Sequence, residues 1–438
     1  MKKINVILLL NLIVSLVWAQ IPTPAPTQSK TIAIVGGTAH IGNGEVIENS
    51  VIVFNKGKIE LVTTADEFDV ERENKLNDSF FADIIDAKGK HIYPGIIALN
   101  TQLGLNEINA VRATRDYDEV GAFNPNVRSI IAYSTDSRVT PTIKSNGILL
   151  AEITPQGGVI SGSASLVQLD AWNWEDAAVK TDHAIYLNWP RLYNQTGWWA
   201  NKGAIKANKQ YDKNVDEIIQ FFREAQSYYN NPKPKQKNLK LEATNGLFNG
   251  GKQLFVRVNG TREILAAINM KKTFGLKMVI VGGMNSWQVA EHLKENNIPV
   301  VLGALHSLPD FPESDIDINY KAPYLLKQAG VEFCLSLHGA WEQRNLMFVA
   351  GNAVSYGLSK EEALAAITLS AAKILGIEDR LGTLEKGKDA TLIISSGDVL
   401  DMRTSNIEKA YISGRNTDLS DKQKVLYQKY KVKYKAGE

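Results

Sequence analysis

Between residues 31 and 62 short β-branched runs alternate with Gly and Asn turns. Ile32 to Val35, Val51 to Phe54 and Ile59 to Val62 each read as a strand, with Asn55 to Gly57 turning the last two back on each other. A second β-rich stretch, Ala390 to Ile394 and Ala410 to Ile412, lies near the other end of the chain. Neither piece closes alone, so the pattern predicts one small β-sandwich built from both chain ends. From about His91 to Leu381 the rhythm changes to short apolar runs alternating with helical periods, the pattern of βα units on a parallel sheet. Its clearest stretch runs strand Leu254 to Val258, helix Arg262 to Phe274, strand Met278 to Val281, helix Trp287 to Asn296 and strand Val300 to Leu302. Helix Tyr320 to Gln328, strand Phe333 to Leu337 and helix Lys360 to Leu375 follow. Four strands in that rhythm predict half of a (β/α)8 TIM barrel. Ile92 to Leu99, Ile148 to Ile153 and Ala184 to Leu187 are strand candidates in a less regular first half, interrupted by a Gly- and Trp-rich insertion at about residues 157–199.

Before this body stands a different kind of text. Lys2 and Lys3 precede an apolar run from Val6 to Val17 that is short for a bilayer span, and Val17 and Ala19 supply the small residues of a cleavage site before Gln20. Residues 1–19 are therefore expected to be a secretory signal, leaving no integral membrane segment after cleavage and placing the mature protein in a bacterial periplasm or outside the cell. Three prolines in residues 20–30 predict an extended leader. The expected organisation is then a sandwich of residues 31–90 with 383–438, around a barrel of residues 91–382.

Charge narrows the partners. The chain has 49 basic and 47 acidic side chains, and removing Lys2 and Lys3 leaves 47 of each. A neutral body has no electrostatic footprint for a polyanion, so no nucleic-acid partner is expected. The one cysteine, Cys334, excludes an intrachain disulfide and a Cys-based zinc site. The run Gly36-Gly37-Thr38-Ala39-His40-Ile41-Gly42 has the look of a dinucleotide-binding turn, but strands rather than a helix follow it, and without a helix N-terminus the pyrophosphate has no seat.

The segment Gly89-Lys90-His91-Ile92-Tyr93-Pro94-Gly95-Ile96-Ile97 resembles the entry to the first barrel strand of the amidohydrolase superfamily, in its imidazolonepropionase-like branch. Thr368 to Gly376, followed by Leu381 to Leu392 (LGTLEKGKDATL), is similar to that family's last helix and its return into the sandwich. The resemblance implies a (β/α)8 barrel and metal-assisted hydrolysis of C–N bonds other than peptide bonds. It also implies five ligand positions: a His-x-His pair on strand one, single histidines on strands five and six, and an aspartate after strand eight. In this chain those positions carry Asn100, Gln102, Arg257, Gly282 and His338.

Asn and Gln are weak ligands for zinc. Arg257 repels a cation, by roughly 4 kcal/mol per unit charge at about 4 Å and an effective dielectric near 20, hence about 8 kcal/mol against a dication. No cofactor is expected, and zinc only through a relocated site drawing on His306, His338 and a carboxylate such as Asp310. Asn100, Gln102, Arg257, Asn259, His306 and His338 are the candidate pocket residues, and which of them is catalytic stays open. Two functions follow. One is a divergent hydrolase of amide, cyclic amide or dipeptide C–N bonds. The other is a non-catalytic barrel that binds a small anionic ligand or pairs with an active relative or a second copy. No Gly-x-Ser-x-Gly elbow accompanies Ser336 and His338, which argues against a serine hydrolase. Gly157-Gly158 with Ser161 to Ser163 offers either an anion nest or plain turns. Trp172, Trp174, Trp198 and Trp199 offer either a binding wall or packing.

Overall fold

The computed structural model describes residues 23–68, 81–198, 201–231, 233–234, 236–303, 305–309 and 313–434. The expected signal segment and Asp310 lie outside them. Among the described residues eighteen strands form three sheets. The terminal strands are β1 (Thr31–His40), β2 (Val46–Asn55), β3 (Lys58–Thr64), β4 (Phe81–Asp86) and β5 (His91–Pro94). The barrel strands are β6 (Ile96–Thr101), β7 (Ile148–Ile153), β8 (Ile160–Gln168) and β9 (Ala178–Asn188), then, after the hairpin β10 (Tyr193–Trp198) and β11 (Asn201–Ala207), β12 (Gln253–Val258), β13 (Met278–Gly282), β14 (Val300–Leu302) and β15 (Phe333–Leu335). The chain returns through β16 (Leu392–Ser395), β17 (Ile407–Ile412) and β18 (Arg415–Asn416).

Both chain ends do meet. β16 pairs antiparallel with β5, which pairs with β1, giving one continuous eight-stranded sheet in the order β18-β17-β16-β5-β1-β2-β3 with β4 also on β1. Positive φ at Lys56 and Gly57 matches the twist of the flanking strands and makes the tight β2–β3 turn. Ile34, Ile52, Phe54, Ile92, Leu392 and Tyr411 form the core of this sheet. The pairings describe a single sheet from both ends where the sequence pattern suggested a sandwich. The glycine run Gly36 to Gly42 passes along and just beyond β1, and β2 follows it.

The second eight-stranded sheet runs in the order β6-β7-β8-β9-β12-β13-β14-β15 and forms a TIM-like α/β barrel. It departs from eight parallel strands in one place, because β8 is antiparallel to both neighbours. The stretch expected as an insertion thus supplies the third and fourth barrel strands, and among the described strands the β10–β11 hairpin alone stands apart from the two large sheets. β15 and β6 are not laddered together. The Leu335 N–H donates to the Ala366 carbonyl and the Ile97 N–H to the Ile367 carbonyl, each at 3.0 Å, so a two-residue wedge completes the ring. That wedge is why the predicted helix 360–375 is two helices, Lys360–Ala365 and Leu369–Leu375. The apolar run from Ile92 to Leu99 is likewise split. Gly95 separates β5 from β6, and a Cβ there would come within 2.7 Å of Thr391 and 2.9 Å of Leu149.

Candidate functional site at the barrel mouth

A run of strand ends brings polar side chains to the C-terminal mouth of a barrel, where chemistry on this fold sits. Asn100, next to last in β6, has φ +55, in the left-handed region that Asn tolerates best after Gly. The β6–β7 register slips between Ala98 and Thr101 at the same point. That slip frees the Asn100 N–H, which donates to Glu152 Oε2 at 3.0 Å. Glu152 is fully buried on β7 and also accepts the Tyr186 hydroxyl at 2.7 Å. His183 Nε2 lies 3.2 Å from its other oxygen, off hydrogen-bond geometry.

Arg257 crosses the mouth from β12, whose pairing sets it beside Asn188 of β9 and Val281 of β13. Its guanidinium stacks 4.3 Å over the Tyr186 ring. Nε and Nη2 donate to Asn100 Oδ1 at 3.3 and 3.2 Å, Nη2 to the Pro155 carbonyl at 2.9 Å, and Nη1 to Asn188 Oδ1 at 3.3 Å. Four of the five N–H groups are used, all on neutral acceptors. Burial lowers Arg257 to about 10, against the pull of Tyr186 and Glu152, so it is still a cation at neutral pH. Burial and the Glu152 charge raise the Tyr186 hydroxyl well above its ordinary 10, which keeps it a donor.

Around this centre, Gln102 Nε2 approaches His338 Nε2 at 3.4 Å, closing the β6–β15 side. Crowding at the mouth, and then the Arg257 charge, lower His338 below 6.5. Asn259 is exposed, and its Oδ1 stands 2.5 Å from where a Cβ on Gly282 would lie. Asn188 joins the wall to the centre. Its Nδ2 donates to the carbonyls of Gly157 and Gly158 at 3.1 and 2.9 Å, so that glycine turn offers acceptors inward.

Five of the six candidate residues therefore gather at one mouth: Asn100, Arg257, Gln102, His338 and Asn259. His306 does not join them. Its ring nitrogens engage the Tyr320 hydroxyl and Asn352 Nδ2, both at 2.8 Å, beside a groove of about 740 Å³ lined also by Phe348, Lys360 and Arg403. Among the described residues no group of three His, Cys, Asp or Glu side chains could hold a metal ion. Glu152, Tyr186 and Asn188 escaped the sequence reading. Glu152 left a signal, as the single acid in the apolar run Ile148-Leu149-Leu150-Ala151-Glu152-Ile153. Trp172 is exposed and Trp174 packs partly against the core, while the Trp198 side chain and Trp199 lie outside the described residues. The helix Lys422–Tyr434 buries no residue, and no helix among the described residues is long and apolar enough to cross a membrane.

Fold and mouth define an α/β barrel protein with a polar, guanidinium-centred cleft at the C-terminal strand ends. Residues 275–417 match the model of the amidohydrolase family. A 115-residue stretch is 32% identical to the amidohydrolase TasK of Hapsidospora irregularis, covering 24% of this chain and 12% of that protein. A 51-residue stretch is 49% identical to the imidazolonepropionase of Thermoplasma volcanium, covering 11% and 13%. The chain thus spans about an eighth of the length of these curated relatives. In fold, it superposes on an amidohydrolase from Thermotoga maritima with a TM-score of 0.74 at 22% identity, over 88% of this chain and 99% of that one. Residues 275–417 are thus similar to the amidohydrolase family, and the two shorter matches fall on an amidohydrolase and an imidazolonepropionase.

Proposed function

We propose that this chain is an amidohydrolase-like hydrolase of C–N bonds other than peptide bonds, in which a fixed guanidinium, rather than a metal ion, receives the anionic end of a small-molecule ligand. The observation that carries this is Arg257. It is a cation held at the mouth only by neutral oxygens, and its second Nη1 N–H has no partner among the described residues. The mouth residues do not suit a divalent cation. The amide oxygens of Asn100 and Asn188 already face Arg257, His338 Nε2 faces Gln102, and Glu152 lies below, committed to Asn100 and Tyr186. On this reading the family's metal-assisted route is lost, and the protein, exported by its N-terminal segment, works on an anionic small molecule alone or beside a second amidohydrolase-like chain.

The test has two arms. Elemental analysis of the purified mature protein, dialysed with and without zinc, should find less than stoichiometric metal; a full equivalent that survives dialysis would sink the reading. Calorimetric titration with N-acetylglycine, a probe carrying both a carboxylate and an amide, should show binding that Arg257→Met removes. Hydrolysis of that or related amides decides between turnover and mere binding. Binding without any turnover would make the chain a non-catalytic barrel.

A further inference from the structure

The seam between the terminal sheet and the barrel holds a second cluster of titratable groups. His40 Nδ1 lies 2.7 Å from Glu361 Oε1, and His40 Nε2 lies 3.1 Å from His91 Nδ1. Both rings lie along Tyr93, His40 stacked at 4.4 Å between centroids and His91 at 6.1 Å. These residues, with Lys360, Leu364, Asp398 and Leu400, line a cavity of about 220 Å³. The second oxygen of Glu361 is buried without a partner among the described residues.

Protons on this three-membered chain can be counted. In its neutral form Glu361 accepts from His40 Nδ1–H, and His40 Nε2 accepts from His91 Nδ1–H. One added proton is harmless: it sits on His40 Nε2 while His91 moves its own proton to Nε2, and both bonds survive with Glu361 balancing the charge. A second added proton leaves N–H facing N–H across 3.1 Å, with two cations side by side. The other charges near His91 are Asp398, itself held by Lys360 at 2.6 Å, and Glu48 on β2. Tyr93 faces it as a neutral phenol, raised by burial.

The chain joins elements that matter at a distance. His40 ends β1 and His91 begins β5, which pair in parallel there. Glu361 sits in the helix Lys360–Ala365, and the next two carbonyls, Ala366 and Ile367, are the wedge that closes the barrel between β15 and β6. Those strands lead into His338 and carry Asn100.

We propose that the Glu361–His40–His91 chain is an acid-sensitive latch, which holds the sheet against the helix near neutral pH and, on taking a second proton, loosens the β15–β6 closure and with it the barrel mouth. Burial and the neighbouring His40 lower His91 below its ordinary 6.5, in keeping with a latch that is shut at neutral pH.

Hydrogen–deuterium exchange of the full mature chain at pH 7.5 and pH 5.5, corrected for the intrinsic pH dependence of exchange, reads the latch directly. Peptides covering residues 31–40 and 96–101 should lose at least tenfold protection at the lower pH. In His91→Asn, whose amide can still donate to His40 but does not titrate, the loss should be under twofold. Should that variant fold poorly, Glu361→Gln serves instead: it keeps an acceptor but removes the balancing charge, and should move the loss of protection to lower pH. Wild-type protection that does not change with pH, or the same loss in His91→Asn as in wild type, or an unmoved transition in Glu361→Gln, would each overturn the latch.

Discussion

Arg257→Met is the substitution in which stability and function separate most clearly. Holding the guanidinium at the mouth lowers it from its ordinary 12.5 to about 10. At about 1.4 kcal/mol per pH unit this corresponds to roughly 3 kcal/mol of unfavourable burial. Arg257 still reaches solvent in part, so that figure is an upper one. Against it stand hydrogen bonds to three acceptors, the oxygens of Asn100, Asn188 and Pro155, at about 1 kcal/mol each once water can replace the donor. The stacking on Tyr186 adds about 1 kcal/mol. The two sides nearly cancel. Met, with a stem that can lie on the same ring, should therefore destabilise the protein by only about 1 kcal/mol. Urea unfolding followed by circular dichroism measures this, and calorimetric titration with N-acetylglycine on the same samples should show binding lost. A loss of more than about 4 kcal/mol would refute the reasoning, because Arg257 would then be a structural tie whose position at the mouth says nothing about ligands.

Tyr186→Phe removes one of the two donors to the buried Glu152 carboxylate and should cost about 1.5–3 kcal/mol in urea unfolding, more than Arg257→Met despite the smaller change. In Arg257→Met the His338 imidazole should titrate higher than in wild type by NMR, since a repelling charge is gone; an unmoved titration would mean that the two do not share one field. The sign for stability follows from His338 lying below 6.5 when folded. The unfolded chain takes the proton first, so this group subtracts stability as pH falls through 6.5. Placing histidines together at 100, 102 and 257 should yield no zinc-dependent amide hydrolysis, and adding Gly282→His should destabilise by about 1–3 kcal/mol because φ there is +90. Asp170→Ala should cost about 3–5 kcal/mol, measured by thermal unfolding, since it strands Lys144 and Arg415, now 2.9 and 3.6 Å from that carboxylate.

Strands β12 to β15 were legible in the sequence because each is a short apolar run closed by Gly or a polar turn and separated by a helical period. The first half was not, and β8 shows why. Ile160-Ser161-Gly162-Ser163-Ala164-Ser165-Leu166-Val167-Gln168 is buried throughout, yet it reads as a polar loop because its serines are satisfied inside, Ser163 by Asp182 for example. Helix formers run straight through Ala366 and Ile367, and only the tertiary bonds to Leu335 and Ile97 show that the helix must stop there. The family resemblance, framed by Pro94 and Gly95 and by the strand order, assigned Asn100, Gln102, Arg257 and His338 to the mouth. It could not show that Asn100 turns its backbone inward to a buried Glu152, because that depends on a register slip against β7.

The reversal of β8 also limits how such a protein could change. A parallel barrel varies its specificity through connections that leave the mouth and can lengthen freely. Between β7 and β8 the chain instead turns back at the mouth in residues 154–159, and a side chain at Gly158 would meet the carbonyls of Gly121 and Ala122 at 2.8 Å. Lengthening that hairpin would unpair framework strands and release Asn188 from its hold on the turn. One sector of the rim is thus inherited as scaffold. Divergence toward new ligands is left to freer connections such as the long segment 102–139 after β6.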